Sequence, residues 1–315
     1  MQGDMDASMS SATTTKVALD LRGQRVSLDR EALMELPESI LLCLFPNGVV
    51  LSPQKQSRDD ADDDDEPEDV YYVDFDAQCL QFVLQFFTSA RDEFYGPPDG
   101  PRRDLSDTTA QANMQNPLFL KQAIIVLREE LEYFAIPPKQ VAGGSSEGTA
   151  ELPGTDESGK PNKALLKLKL DCGNALLGRK SIFTALQRNV NRENNVAEQH
   201  LIDMLCMSGF EREDEWGYRS LEPNRCCIAS IALVLLKTGI THPPITLPPG
   251  ATEKPSVEVN AQQLATAQKL LLFWRKPARK CWWDATELTL DEGSPSAREV
   301  KIWARRVWTL ELSLI

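Results

Sequence analysis

Residues Gln140–Asn162 read QVAGGSSEGTAELPGTDESGKPN. Gly, Ser, Pro and Glu at this density leave no apolar face to bury, so the stretch reads as a linker. It cuts the 315-residue chain in two, which is also what length alone suggests at ~100–200 residues per domain. The plan expected from the sequence has a mobile tail over 1–15, a first domain over 16–138, a linker over 139–162 and a second domain over 163–315. Hydrophobic residues make up 42% of the chain, enough for a core in each half.

Charge narrows the function classes. The net charge of −13 argues against a general nucleic-acid binder. Nine carboxylates sit in one run, Asp59–Asp69 (DDADDDDEPED). The surrounding segment 52–69 is polar and aperiodic, and charges this dense repel one another, so it reads as a disordered insertion. It fits a solvated loop that keeps a sheet edge soluble better than an acidic tail for a basic partner. The longest apolar run, Cys226–Leu236, is eleven residues, against the ~20 a membrane span needs, so no direct membrane insertion is expected. Met1–Thr15 lacks the basic and apolar regions of a signal peptide. The seven cysteines are odd in number, lie in apolar stretches and accompany no Asn-x-Ser/Thr sequon. This fits reduced thiols and a cytoplasmic location.

Hydrophobic patterning predicts an α+β chain. Lys16–Leu21 alternates, turns at Arg22–Gln24 and continues through Val26 and Leu28 as a hairpin. Asp29 is placed to cap a helix, and Pro37 opens another over Glu38–Phe45. Val70–Asp74 reads as a strand, and Asp76 caps a helix over Ala77–Ser89. Leu120, Ile124, Leu127, Leu131 and Phe134, spaced +4, +3, +4, +3, predict a helix over Pro117–Ala135. Leu166, Leu168 and Leu170 alternate with charged residues, which favours a strand while leaving a short helix open. Ser181–Val190 and Asn195–Ser208 read as helices. Over Arg225–Thr238 helix and strand are evenly matched, and Pro223 tips the reading to helix. Cys281–Leu290 and Glu299–Ile315 form an expected antiparallel pair.

The residues offer little for catalysis. The two histidines are His200 and His242. The first reads as a helix-face residue near Asp203 and Cys206, and the second has no nucleophile to activate. Adjacent Cys226 and Cys227 cannot comfortably chelate one ion, and no C-x₂-C or H-x₃₋₅-H pair occurs. No Gly-rich phosphate loop is present. No enzyme activity, cofactor or metal is therefore expected.

The C-terminal segment is different. Five of six tryptophans follow residue 270, interleaved with arginines and lysines. Aromatic rings beside Arg are the composition of binding hot spots. The same tryptophans would serve equally as sheet core with a solvated basic rim. The sharpest candidate is Arg279-Lys280-Cys281-Trp282-Trp283, with Arg279, Lys280, Trp282 and Trp283 as the residues expected to dock an acidic partner surface.

Several segments carry a resemblance. Val17–Leu21, LMELPESIL (Leu33–Leu41), YVDFD (Tyr72–Asp76) and LEYFAI (Leu131–Ile136) are similar, in this order, to the BTB/POZ fold of the potassium-channel tetramerisation-domain (KCTD) type. Arg22 stands where that family has the first of two glycines and Phe75 where it has arginine, departures that bear on the family's ring-shaped assembly rather than on the fold. The segments from Ser181 to Ile240 and KLLLFWRKPARKCWWD resemble fungal growth-regulation and stress-response proteins of the Whi (whiskey) type. The resemblance implies a BTB/POZ domain followed by a smaller α+β domain ending in an antiparallel sheet. It implies a cytoplasmic, non-enzymatic adaptor with a protein partner, a plasma-membrane phosphatase of the haloacid-dehalogenase class, through which it is recruited to the membrane. That family restrains TOR complex 1 when amino acids are scarce and promotes the stress response. A BTB domain also implies a homo-oligomer and a second use, as substrate adaptor of a cullin-RING ubiquitin ligase.

Overall fold

A computed structural model describes residues 16–45, 70–105, 116–136, 154–156, 158–193, 195–246, 256–291 and 297–315. The tail 1–15 and the acidic segment 52–69 lie outside them. The chain falls into two compact units that divide between Gln81 and Phe82, rather than within 139–162.

The first unit is built on a three-stranded sheet of order β2-β1-β3. β1 (Lys16–Leu21) and β2 (Gln24–Asp29) form the expected hairpin, and β3 (Val70–Val73) pairs with β1 in parallel. The hairpin turn is Arg22-Gly23, with φ of 53° and 90°. Positive φ at both positions is what a tight two-residue hairpin needs to match strand twist. Arg22 tolerates it with support: the Asp20 carboxylate accepts from the Gly23 amide at 2.7 Å, and Arg22 Nε donates to Asp74 at 2.6 Å. Helices α1 (Arg30–Met34) and α2 (Glu38–Leu44) follow, and α3 (Ala77–Tyr95), which begins in this unit and continues into the second, runs six residues past its expected end. Asp76 caps α3 through the amides of Gln78 and Cys79.

The second unit is organised by a five-stranded antiparallel sheet of order β5-β6-β4-β10-β9. Its strands are β4 (Ala123–Ile136), β5 (Tyr218–Leu221), β6 (Cys227–Leu235), β9 (Ala278–Leu290) and β10 (Arg298–Leu314). The short pair β7 (Ile240–Thr241) and β8 (Glu258–Val259) stands apart. Helices α4 (Lys163–Leu177), α5 (Thr184–Glu193), α6 (Val196–Ser208) and α7 (Ala261–Trp274) complete the unit. The expected β9–β10 pair is present. Three expectations fail. The segment expected as a helix over Pro117–Ala135 is one 3₁₀ turn, Pro117–Phe119, followed by β4, the central strand. Cys227–Leu235 is a strand rather than a helix, and Lys163–Leu177 is a helix. Asn162 starts that helix by accepting from the amides of Ala164 and Leu165.

One sheet face is covered by these helices. Odd-numbered residues of β4 and even-numbered residues of β10 point to it, as their pairing fixes. Two apolar clusters fill it. Leu131, Tyr133, Ile302 and Ala304 pack with Leu168, Cys172 and Leu176 of α4. Ile125, Leu127, Trp308 and Leu310 pack with Leu186, Ile202, Leu205 and Leu270 of α5, α6 and α7. Between the clusters, in both strands, comes a charge. Glu129 accepts from Arg219 at 2.8 Å, Arg306 at 2.7 Å and Trp308 Nε1 at 3.0 Å. A carboxylate in the middle of a sheet persists only with partners of this kind.

Candidate functional site

Among the described residues β9 is an edge strand, paired only with β10. Its side chains alternate faces, and this splits the four candidate residues into two pairs. Arg279 and Trp283 are exposed on the face away from the helices, whereas Lys280 and Trp282 turn inward.

The inward pair is structural. Trp282 packs edge-on against Trp308, ring centroids 5.4 Å apart, and joins the apolar cluster. Lys280 Nζ lies 5.6 Å above the Trp282 ring and donates to Glu198 Oε1 at 3.0 Å. Glu198 is in the first turn of α6 with its side chain 6% exposed, so Lys280 supplies the countercharge for a buried carboxylate.

The outward pair belongs to a larger surface. Trp283 is 57% exposed, Trp303 of β10 47% and Phe134 of β4 52%. Phe134 pairs directly with Trp303 in register, and its ring stacks with Trp283 at 6.1 Å. Three large rings from three adjacent strands thus form one open aromatic patch. Arg305 lies between Glu132 and Trp283 in register, its Nε 3.0 Å from the Glu132 carboxylate. Lys301 and Arg279 are exposed on the same face. Exposed aromatic area rimmed by charge marks protein-contact surfaces. Sequence reasoning missed Phe134, because a helix over 117–135 placed it in a core stripe, and Trp303, because it was grouped with the C-terminal tryptophans without a face.

His200 is exposed on α6. His242 packs edge-on against Phe94 at 5.1 Å, and burial, helped by the positive charge of Arg103, holds its pKa below the usual value. None of the seven cysteines is in a disulfide, and burial pushes the Cys227 thiol up to about 11. Among the described residues no cluster of three His, Cys, Asp or Glu could hold a metal ion, and no helix is long and apolar enough to cross a membrane.

No family model matches the chain. Curated proteins do. A WHI2-like protein of Schizosaccharomyces pombe is 35% identical over 288 residues, covering 91% of this chain and 84% of the relative. A growth regulation protein of Saccharomyces cerevisiae is 27% identical over 456 residues, covering 95% and 91%. An uncharacterised Schizosaccharomyces pombe protein is 20% identical over 301 residues, covering 95% and 87%. The similarity to the first two spans both units, and at 35% identity over nine-tenths of its length the chain belongs to the WHI2-like family of growth-regulation proteins.

Proposed function

We propose that this chain is a non-enzymatic cytoplasmic adaptor that restrains growth in response to nutrient and stress signals, by holding a protein partner on its second unit. The observation that carries the reading is the open patch of Phe134, Trp283 and Trp303 with Arg279 and Lys301 beside it. Rigid strands present it, and rings held in fixed positions lose little entropy when they dock. In keeping with the family resemblance, the partner is a plasma-membrane phosphatase of the haloacid-dehalogenase class, which recruits the adaptor to the membrane, and the pathway restrained is TOR complex 1. The first unit is read as a BTB/POZ-type module serving self-assembly; the β2-β1-β3 sheet with its parallel β1–β3 pair and following helices supports this.

The test is affinity purification of the tagged full-length chain from amino-acid-starved cells, followed by reconstitution with the purified phosphatase. The wild type is expected to retain the phosphatase and Trp283→Ala/Trp303→Ala to lose it while melting normally. Recovery of a cullin instead, with no phosphatase, would replace this reading by that of a ubiquitin-ligase substrate adaptor.

A further inference from the structure

At the seam between the two apolar clusters lies a small, partly open cavity of about 40 Å³. Arg179 reaches it from the α4–α5 connection, Arg188 from α5, Arg219 from β5 and Arg306 from β10. Ser181 and Asp284 complete its polar wall. A cavity needs ~10–15 Å³ to hold one water. This one has room for several waters or one tetrahedral oxyanion.

The charges around it do not balance. Four guanidiniums meet two carboxylates, Glu129 and Asp284. Glu129 is occupied by Arg219 and Arg306, and Asp284 by Arg188, with Arg306 Nε further off at 3.9 Å. Arg179 bonds neutral acceptors, the Thr286 hydroxyl at 3.0 Å and the Glu287 carbonyl at 3.3 Å. Donors are also left over. Arg219 has a side chain only 6% exposed, yet its Nε has no acceptor, and the buried Nε of Arg306 has none either. Burial holds the Arg219 pKa below its usual value despite the pull of Glu129; Arg179 stands at the exposed mouth of the cavity, where partial desolvation and the like charge of Arg306 lower its pKa too. A native interior rarely leaves buried donors and buried positive charge unanswered.

We propose that this cavity is a binding site for a free tetrahedral oxyanion of the phosphate class, held by Arg179, Arg219 and Arg306 with the Ser181 hydroxyl. Such an anion accepts several charge-assisted hydrogen bonds at once, and forked guanidiniums suit its geometry. The first residues of α5, Thr184 and Ala185, line the same space, and the positive end of a helix adds to the attraction. The small volume suits a free ion better than a phosphate carried on a lipid headgroup or a peptide. Once bound, the ion ties α5 and the α4–α5 connection to β5 and β10.

The experiment titrates the full chain with inorganic phosphate at constant ionic strength set by chloride, read by calorimetry and by melting temperature. Saturable phosphate binding is expected, with a melting temperature that rises beyond the chloride control. Arg179→Gln removes a guanidinium that pairs with no buried carboxylate, so the apo fold is kept. It should weaken binding by about ten-fold or more, as loss of a charge-assisted hydrogen bond implies. Arg179→Lys should fall between, and Arg275→Gln, on the exposed end of α7, should bind as wild type. Equal responses to phosphate and chloride would overturn the site, as would an undiminished affinity in Arg179→Gln. Binding to vesicles containing a phosphoinositide, or to a phosphoserine peptide, with none to free phosphate would overturn it too.

Discussion

Arg279 and Lys280 are neighbours with the same charge, and reversing each should have different consequences. Lys280 Nζ sits 3.0 Å from Glu198 Oε1, with the lysine side chain 37% exposed and the glutamate 6%. An exposed pair is worth ~0–1 kcal/mol, and breaking a fully buried one costs ~3–5 kcal/mol. This pair lies between. Lys280→Glu also sets a second carboxylate against the first and removes the cation from the Trp282 face, itself worth ~0.5–1 kcal/mol. A loss of about 2–3 kcal/mol follows, which for a protein of this size lowers the melting temperature by roughly 5–10 °C. Arg279 points outward from the same strand, so Arg279→Glu should stay within ~0.5 kcal/mol of wild type and weaken partner capture instead. Thermal melting of the two purified variants, with pull-down of the reconstituted phosphatase, separates the effects. Adding Glu198→Gln to Lys280→Glu should recover part of the lost stability, since it removes the repulsion. Equal melting temperatures for Arg279→Glu and Lys280→Glu would refute the division of β9 into an inner and an outer face.

Three further outcomes are expected. Burial pushes the Glu129 carboxyl up, but Arg306 and Arg219 with their hydrogen bonds outweigh it and hold its pKa below the usual value. Its stabilising contribution is thus present above the unfolded carboxylate pKa of ~4.3 and lost as pH falls through the lower folded value; Glu129→Gln should cost ~3–5 kcal/mol at neutral pH and flatten the acid limb of a stability–pH curve. Gly173→Ala should destabilise despite alanine's ~1 kcal/mol advantage in helices, because its Cβ would lie 2.3 Å from Tyr133 Oη and 2.8 Å from Leu221 Cδ2; denaturant unfolding measures this. Trp308→Ala should cost ~3–5 kcal/mol in the same assay, since Trp308 packs with Trp216 and Trp282 and donates to Glu129.

The hairpin, the capped helices and the C-terminal pair were legible because each shows its period to one side. β4 was not. Ile124, Ile125, Val126 and Leu127 are all fully buried, so the alternation that marks a strand is erased where both faces are covered. Arg128, Glu129 and Glu130 then look like the polar side of a helix. What keeps Glu129 in a strand interior is Arg219 and Arg306, 90 and 177 residues away in sequence. The reverse error came at α4, where Leu166, Leu168 and Leu170 alternate with lysines by chance: Leu168 is buried, whereas Leu166 and Leu170 are exposed. At the candidate site the composition was legible and the geometry was not. Sequence neighbours in a strand face opposite ways, so Trp282 and Trp283 part company, while Phe134 joins Trp283 from far along the chain.

The place of β4 also sets the order in which the molecule can be made. It is the first strand of its sheet to leave the ribosome and the one that ends up in the middle, with Ala123 opposite Leu314. Until β6 and then β10 have been synthesised, a strand apolar on both sides waits with two open edges, the kind of segment that pairs with other chains. Closure over so long a loop is slow, and it comes last. A nascent chain halted before Arg298 has no partner for that edge. Completion of the C-terminal strand is then the event that commits the second unit to its native state.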